Sequence, residues 1–532
     1  MILQIMRRTR QKRISKLRAG WGKEKLEYFP FDKIEQYHRL VDHTDVPAVS
    51  AQTQSDIDFQ DLFVYLDRTT SKVGQQFLYD QLLTPSGDLG KLRVFHEQVE
   101  YFRSHMPERE AVQTILSGLS KDGAYTIAGL FTGDIFEKPH WYNWVKIELA
   151  FTILLIVGSI GFHFLLIGLL IPLFINFVLH FWYKNRAFTI TRTLPFLNIL
   201  INTAKYLQAR EYIRYGADVS ENIRRLHPFQ RKIRYLNTGS VTLVGGLEDL
   251  AYYVLDVIKG FFLIDFFLFF RSIDEVAASR ADIGRLFHFV GWVDAAISVA
   301  YIRNGPIHTS APTFHAGDKR MQYEALVHPL IADCVPNSLR VDARSVLITG
   351  SNMSGKTTFL RTIITNQLLA QTIYTTFSTR FDTSVRRIHS SIRIDDSLLD
   401  GKSYFFEEVR VMQDLIGMVG SDDNLFILDE VFKGTNTIER VSASKAILSY
   451  LNKGNNVVIV STHDMELTSL LPAEYDLYHF SETIVDDRLV FDHLIKPGEL
   501  ATRNGIRLLE INGYPKEIIE ESRAISQHLS HK

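Results

Sequence analysis

Three hydrophobic patterns succeed one another along the chain. From residue 55 to 105 apolar positions recur at helical spacing. Leu62, Tyr65 and Leu66 mark one face, then Phe77, Leu78 and Leu82 another. Pro85-Ser-Gly closes that stretch. Residues 186–305 again read as mostly helical, with scattered Arg and Lys. From Val341 short β-rich apolar runs alternate with helices, as in a parallel α/β sheet. No internal repeat or low-complexity tract is visible.

The most unusual segment separates the two helical stretches. Leu149–Tyr183 holds no Asp, Glu, Lys or Arg in 35 residues. A membrane-spanning helix needs about 20 apolar residues, so this run is too long for one span and suits two short ones. Gly158–Gly161 is one candidate for the turn; Gly168 and Pro172 are others. Trp141, Trp144, Trp182 and Tyr183 flank the run as interfacial aromatics do, and Lys184 and Arg186 follow as cytoplasmic-side basic residues do. The favoured reading is a re-entrant or spanning helical hairpin; the alternative is a buried helix pair in a large soluble core. A second run, Gly260–Phe270, is shorter and contains Asp265, which suits a buried core or lever helix better than a third crossing.

Composition narrows the class. The chain has 532 residues, enough for about two to four domains. With 46% hydrophobic and 22% charged residues, the composition suits a sizeable packed core rather than global disorder. The net charge of −1 gives no overall attraction to nucleic acid, so any such contact must be local. The single cysteine, Cys334, forms no internal disulfide and fits a reducing cytosol. The first 25 residues lack the apolar region of a cleavable signal and are basic instead. They read as a solvated tail or as a contact for anionic lipid or nucleic acid.

The chemistry lies in the last third. Ser345–Thr349 is a β-branched apolar run leading into Gly350-Ser351-Asn352-Met353-Ser354-Gly355-Lys356-Thr357, a full match to G-x-x-x-x-G-K-[ST]. A helix of good formers follows, beginning with Thr358. In such a strand–loop–helix, backbone N–H groups of residues 350–358 wrap the phosphates of ATP. Lys356 reaches the β and γ phosphates and Thr357 ligates Mg²⁺. About 70 residues on, the apolar run from Asn424 ends in Asp429-Glu430. Asp429 is placed to hold Mg²⁺, and Glu430 to act on the attacking water. A third strand ends in Thr462-His463, where His463 is a candidate γ-phosphate sensor. The predicted enzyme is an ATP hydrolase with catalytic residues Glu430, His463 and Lys356.

These residues carry a family resemblance. The loop Gly350–Thr358 resembles the nucleotide loop of the MutS DNA mismatch-repair family, with Ser351 where that family usually has proline and Ser354 where it usually has glycine. Asp429-Glu430…Gly434-Thr435-Asn436-Thr437 and Ser461-Thr462-His463…Glu466-Leu467 are similar to its later motifs. Asp395–Glu408 resembles its signature loop, which implies that Ser403 is offered in trans to the ATP of a partner subunit, and hence a homodimer. By itself, Ser403 also reads as an N-cap for a helix over Tyr404–Met418. Asp67-Arg-Thr-Thr70-x-x-x-Gly74 resembles the start of the family's core, and His328-Pro329-Leu330 the opening of its ATPase domain. Asn504-Gly505 and Gly513-Tyr-Pro515 resemble its C-terminal dimerisation segment.

The resemblance implies binding of mismatched or branched DNA. Fewer than about 60 residues precede the core, too few for the mismatch-wedge domain of full-length members. Phe95-His96-Glu97 spells that domain's Phe-x-Glu within an apparent core helix and reads as coincidence.

The expected organisation is a basic segment (1–54), a core first half (55–140), the hairpin (141–185), a helical core or lever (186–320), an α/β P-loop ATPase domain of ABC type (321–500) and a C-terminal helical segment (501–532). Both core halves must share the compartment of ATP. That expectation makes the chain a multi-pass cell-membrane protein, touching lipid through 149–183, with its ATPase and core on the cytoplasmic side. The rival expectation is a membrane-bound ATP-driven switch with a protein or lipid ligand and no DNA role.

Overall fold

A computed structural model describes residues 14–15, 17–44, 47–133, 138–236, 260–351, 353–393, 404–420, 423–432, 434–485, 488–500, 507, 509–510 and 513–530. The principal helices are α1 (Ala51–Asp56), α2 (Phe59–Leu66), α3 (Lys72–Leu83), α4 (Leu89–Ser104), α5 (Met106–Leu116), α6 (Tyr142–Ser159) and α7 (Leu170–Gln208). They continue as α8 (Ser220–Leu236), α9 (Ile264–Ala278), α10 (Arg280–Ile302), α11 (Lys356–Ile373), α12 (Tyr404–Gly417), α13 (Thr437–Leu451) and α14 (Lys516–Ser530). The fold is mixed helix and sheet. Two compact units divide the chain: Met1–Asp42 with Asp67–Asp80 and Glu97–Ile302, and His43–Leu66 with Gln81–His96 and Arg303–Lys532.

The first unit is helical and is built around α10. This helix is apolar on nearly all sides, and residues from Ile283 to Ile302 are buried almost without a break, as expected of a core helix. Asp294 of α10 caps the start of α3, accepting from the Thr70 and Ser71 amides at 2.9 and 2.7 Å and from the Ser71 hydroxyl at 2.6 Å. Gly74 lies one turn further on, where a Cβ would stand 2.3 Å from Asp294 Oδ2, so no larger residue fits. Asp67, fully buried, accepts from Lys25, Gln75 and the Thr69 amide. The Asp67-Arg-Thr-Thr-x-x-x-Gly run is thus a helix start whose donors are met by two buried carboxylates.

The apolar run of the sequence forms parts of two long helices with a short one between them. Only 11% of Tyr142–Ser159 and 22% of Leu165–Trp182 is buried, against 78% of Arg280–Ile302, although all three are long and apolar enough to cross a membrane. Of the candidate turn sites, the chain reverses just after Gly158, over Ile160–Phe164. Gly168 ends a short helix, Leu165–Gly168. Pro172 sits in the first turn of α7, where a missing N–H costs nothing. That helix has 39 residues. Its first half exposes Leu170, Ile171, Phe174 and Phe177; its second buries Leu194, Leu197, Ile201, Ala204 and Leu207 on one face. The Gly260–Phe270 run is core: Phe266, Phe269, Phe270 and Ile273 pack with Val145, Trp141, Tyr142, Leu179 and Trp182 at the roots of the hairpin.

The second unit contains two sheets. The larger has strand order β10 (Arg488–Pro497), β9 (Tyr475–Val485), β4 (Ser345–Thr349), β8 (Val457–Thr462), β7 (Asn424–Asp429), β6 (Arg387–Ser391). Its strands are parallel except β10, which is antiparallel to β9. The smaller has the order β1 (Thr313–Phe314), β5 (Arg380–Thr383), β2 (Met321–Leu326), β3 (Asn337–Val341). β4, β7 and β8 are almost wholly buried, which is why they read as unbroken apolar runs. α1 is fixed to the end of β6 by Asp56, which accepts from the Ser390 hydroxyl and the Ile392 and Arg393 amides.

Candidate nucleotide site

The site lies at the C-terminal ends of the central strands. β4 runs into the loop and the loop into α11, so the helix N-terminus faces the loop. Gly350 has φ +147°, and a Cβ there would meet Phe480 O at 2.7 Å; Gly355, at φ +112°, is the N-cap of α11. Both serines that depart from the family pattern stitch the loop. The Ser354 hydroxyl donates to Ser351 O at 2.8 Å, and the Ser351 hydroxyl to Glu482 Oε2 at 2.7 Å.

Lys356 is buried and spans the loop, donating to Gly350 O and Ser351 O at 2.8 and 2.9 Å. Its ammonium lies 3.3 Å from His463 Nε2, and that nitrogen lies 2.7 Å from Glu430 Oε1. The Thr357 hydroxyl donates to Asp429 Oδ2 at 2.6 Å, while Ser461 donates to the other oxygen of that carboxylate. Residues expected from three separate stretches of sequence therefore converge. β7 and β8 are adjacent and parallel with Asp429 opposite Ser461, which delivers Asp429, Glu430 and His463 together. Glu430 sits at φ +58°, a left-handed conformation that a non-glycine residue adopts at a cost of about 1–3 kcal/mol and that is concentrated at functional sites.

A cavity of about 420 Å³ adjoins the loop. Ser351, Met353, Gly355, Lys356, Thr357, Thr358 and Glu430 line one part, and Ile331–Val335, Asn337 and His493 another. His493 Nδ1 is 3.1 Å from Ser354 O. Ser461, Glu482, His493 and the Ile331–Val335 wall were not singled out for this site from the sequence; Glu482 and His493 come from β9 and β10, far along the chain and outside any local motif. Asn352, Ser403 with the rest of 394–403, and Asn504-Gly505 lie outside the described residues. The helix expected after Ser403 is present as α12, beginning at Tyr404. Phe95 of the Phe-x-Glu sequence is buried within α4.

A glycine-bearing loop between a buried strand and a helix, with a lysine, a hydroxyl and paired acids on neighbouring strands, is the arrangement of a P-loop nucleotide-binding protein. Residues 346–530 match the family model for MutS domain V. The chain is 33% identical over 243 residues to DNA mismatch repair protein MutS of Thermus aquaticus, which is 45% of this chain and 29% of that protein. It is 28% identical over 272 residues to MutS of Pseudothermotoga lettingae, and 26% over 273 residues to DNA mismatch repair protein MutS 2 of Halobacterium salinarum. The matches span 49% of this chain in both cases, and 33% and 31% of those relatives. The last third of the chain is thus similar to MutS domain V, and the chain spans about a third or less of the length of the relatives it matches.

Proposed function

We propose that this protein is a membrane-anchored, homodimeric ATPase of the MutS type whose turnover is coupled to mismatched or branched DNA. The convergence of Lys356, Thr357, Asp429 and Glu430 supports the ATPase reading most strongly. The lysine and the amides at the start of α11 would hold the phosphates of ATP. Thr357 Oγ1 and the Asp429 carboxylate offer the hard oxygen donors that Mg²⁺ requires, and they already meet at one point. Bound there, Mg²⁺ would supply charge neutralisation for the phosphates. Water attacks the γ-phosphorus, the bond to the β-phosphate oxygen breaks, and ADP and phosphate form. Glu430 orients that water and receives its proton, and His463, in contact with Glu430 and Lys356, senses the γ-phosphate.

A second copy would complete each site with Ser403 of the partner subunit. Exposed apolar side chains favour such a partner: Met353 in the loop and Ile438 at the start of α13 are 83% and 80% exposed. Membrane anchorage is supported by the two exposed apolar helices, and by their return to one place. Thr126, before the hairpin, and Thr193, after it, share a hydrogen bond of 2.6 Å, so both ends emerge on the same side. With ATP, that side is the cytoplasm.

The test is the ATPase rate of the detergent-solubilised protein with homoduplex, mismatched and branched DNA at two salt concentrations. Stimulation by one form, weakened by salt, is expected. Hydrolysis indifferent to all three would favour a membrane-bound switch with a protein or lipid ligand, a reading to which the net charge of −1 lends support.

A further inference from the structure

We infer that the tip of the hairpin, Ile160–Phe164, ends among the acyl chains of the far leaflet and does not emerge into water beyond it. The inference rests on the membrane reading above and goes beyond it, because an anchoring hairpin could equally well cross and expose its turn.

The first observation is chemical. A turn that emerges from a bilayer meets water and headgroups, and polar residues suit it. Here no charged residue occurs between Leu149 and Tyr183, and the tip reads Ile-Gly-Phe-His-Phe. Ile160, Phe162 and Phe164 are 79%, 64% and 70% exposed, so they point away from the protein.

The second observation is the backbone. Irregular chain is disfavoured in hydrocarbon because its N–H and C=O groups go unpaired. This reversal keeps most of its amides paired, those of His163 and Phe164 at its apex excepted. The amides of Ile160, Gly161 and Phe162 donate back to Val157 O, Gly158 O and Gly158 O, and those of Leu165, Leu166 and Ile167 to Phe162 O, His163 O and Phe164 O, all at 3.0–3.3 Å. The Ser159 hydroxyl is turned back onto Ile156 O at 2.7 Å. On either side of that apex the turn is stitched for a medium without water.

The third observation is length. α6 has 18 residues, about 27 Å at 1.5 Å each, against a hydrocarbon core of about 30 Å. With Trp141, Trp144 and Trp182 at the near interface, the tip reaches the far leaflet without passing it.

The experiment uses full-length protein reconstituted in liposomes. His163→Cys and, separately, Phe164→Cys are made in a Cys334→Ser background and labelled with an environment-sensitive fluorophore. Gly216→Cys, at a position with open space around it, serves as the aqueous control. The expected result is loss of tip fluorescence with lipids spin-labelled along the acyl chain, and no loss with iodide on either face of the vesicle. Quenching by iodide sealed in the lumen, with the protein still floating with the vesicles, would overturn the inference and leave the anchor standing. Failure to float, with quenching by external iodide, would overturn the anchor itself. Quenching by neither agent would seat the tip against protein and also overturn the inference.

Discussion

At the residue scale the candidate site depends on a few polar contacts, each with its own expected consequence. Lys356 is buried and directed across the loop that would carry the phosphates. Replacing it with alanine removes charge-assisted bonds of about 1.5–3 kcal/mol, so ATP affinity should fall about 10- to 100-fold in equilibrium binding. Unchanged affinity would exclude this loop as the phosphate site. The residues most legible in the sequence were those held within one contiguous motif, where spacing alone encodes geometry: Gly350 to Thr357, and Asp429-Glu430. Glu482 and His493 were illegible because sheet pairing, not spacing, brings β9 and β10 to the loop. Ser461 stood in view beside His463, but its role needed the knowledge that β8 lies next to β7 with Asp429 opposite it.

At the element scale the hairpin and the parallel sheet were readable because their patterns have distinct periods: an uncharged run of 35 residues, and short buried β-branched strands. The turn could not be chosen from sequence alone, since Gly158–Gly161, Gly168 and Pro172 all permit one. What decides it is which helix each residue ends or begins. The role of α1 was unreadable for a different reason. Its function is to present Asp56 to the far end of β6, some 335 residues away, and no local pattern marks that contact. Asp56 meets four donors, the Ser390 hydroxyl, the Gln52 side-chain amide and the Ile392 and Arg393 backbone amides. Asp56→Ala should lower stability by about 1–3 kcal/mol or more, read as a reduced urea midpoint. A midpoint unmoved by the change would mean that α1 is not held this way. Asn436, at the start of α13, shows the contrasting case. Its side chain accepts from the Glu439 amide at 3.0 Å, an N-cap of the kind sequence does announce.

At the scale of the whole molecule, stability has a pH dependence that the helical unit imposes. Burial raises the carboxyl of Asp294 from its usual 3.8 to about 6, against the opposing hydrogen bonds from Ser71 and Thr70. Because the folded value is the higher one, the folded chain binds a proton between about pH 4 and 6 that the unfolded chain has lost. Stability from this group is therefore present below pH 4, declines as pH rises to 6, and is flat above, with a total change on the order of 3 kcal/mol. Unfolding midpoints across that range should fall with rising pH in the parent, and the fall should be smaller in Asp294→Asn. Equal slopes in the two proteins would show that Asp294 titrates normally. Asp67, similarly buried, behaves oppositely. Burial alone would raise it, but Lys25 and the Thr69 bonds outweigh that and hold it below the usual value. Asp67 is ion-paired directly with Lys25 at 3.0 Å, whereas Asp294 is bonded to neutral groups and feels that cation only weakly, and that difference sets their opposite titrations.

Everything proposed for this chain requires that it hydrolyse ATP at the junction of the loop with the ends of β7 and β8. The measurement that tests it most directly is single-turnover hydrolysis by Glu430→Gln, with ATP binding followed in parallel. Glu430 lies against His463 and one residue beyond Asp429, so its loss should leave nucleotide binding intact and slow hydrolysis by about 10²- to 10⁴-fold. Undiminished hydrolysis in a protein that binds ATP normally would contradict a catalytic role for Glu430 and place the chemistry elsewhere in the molecule.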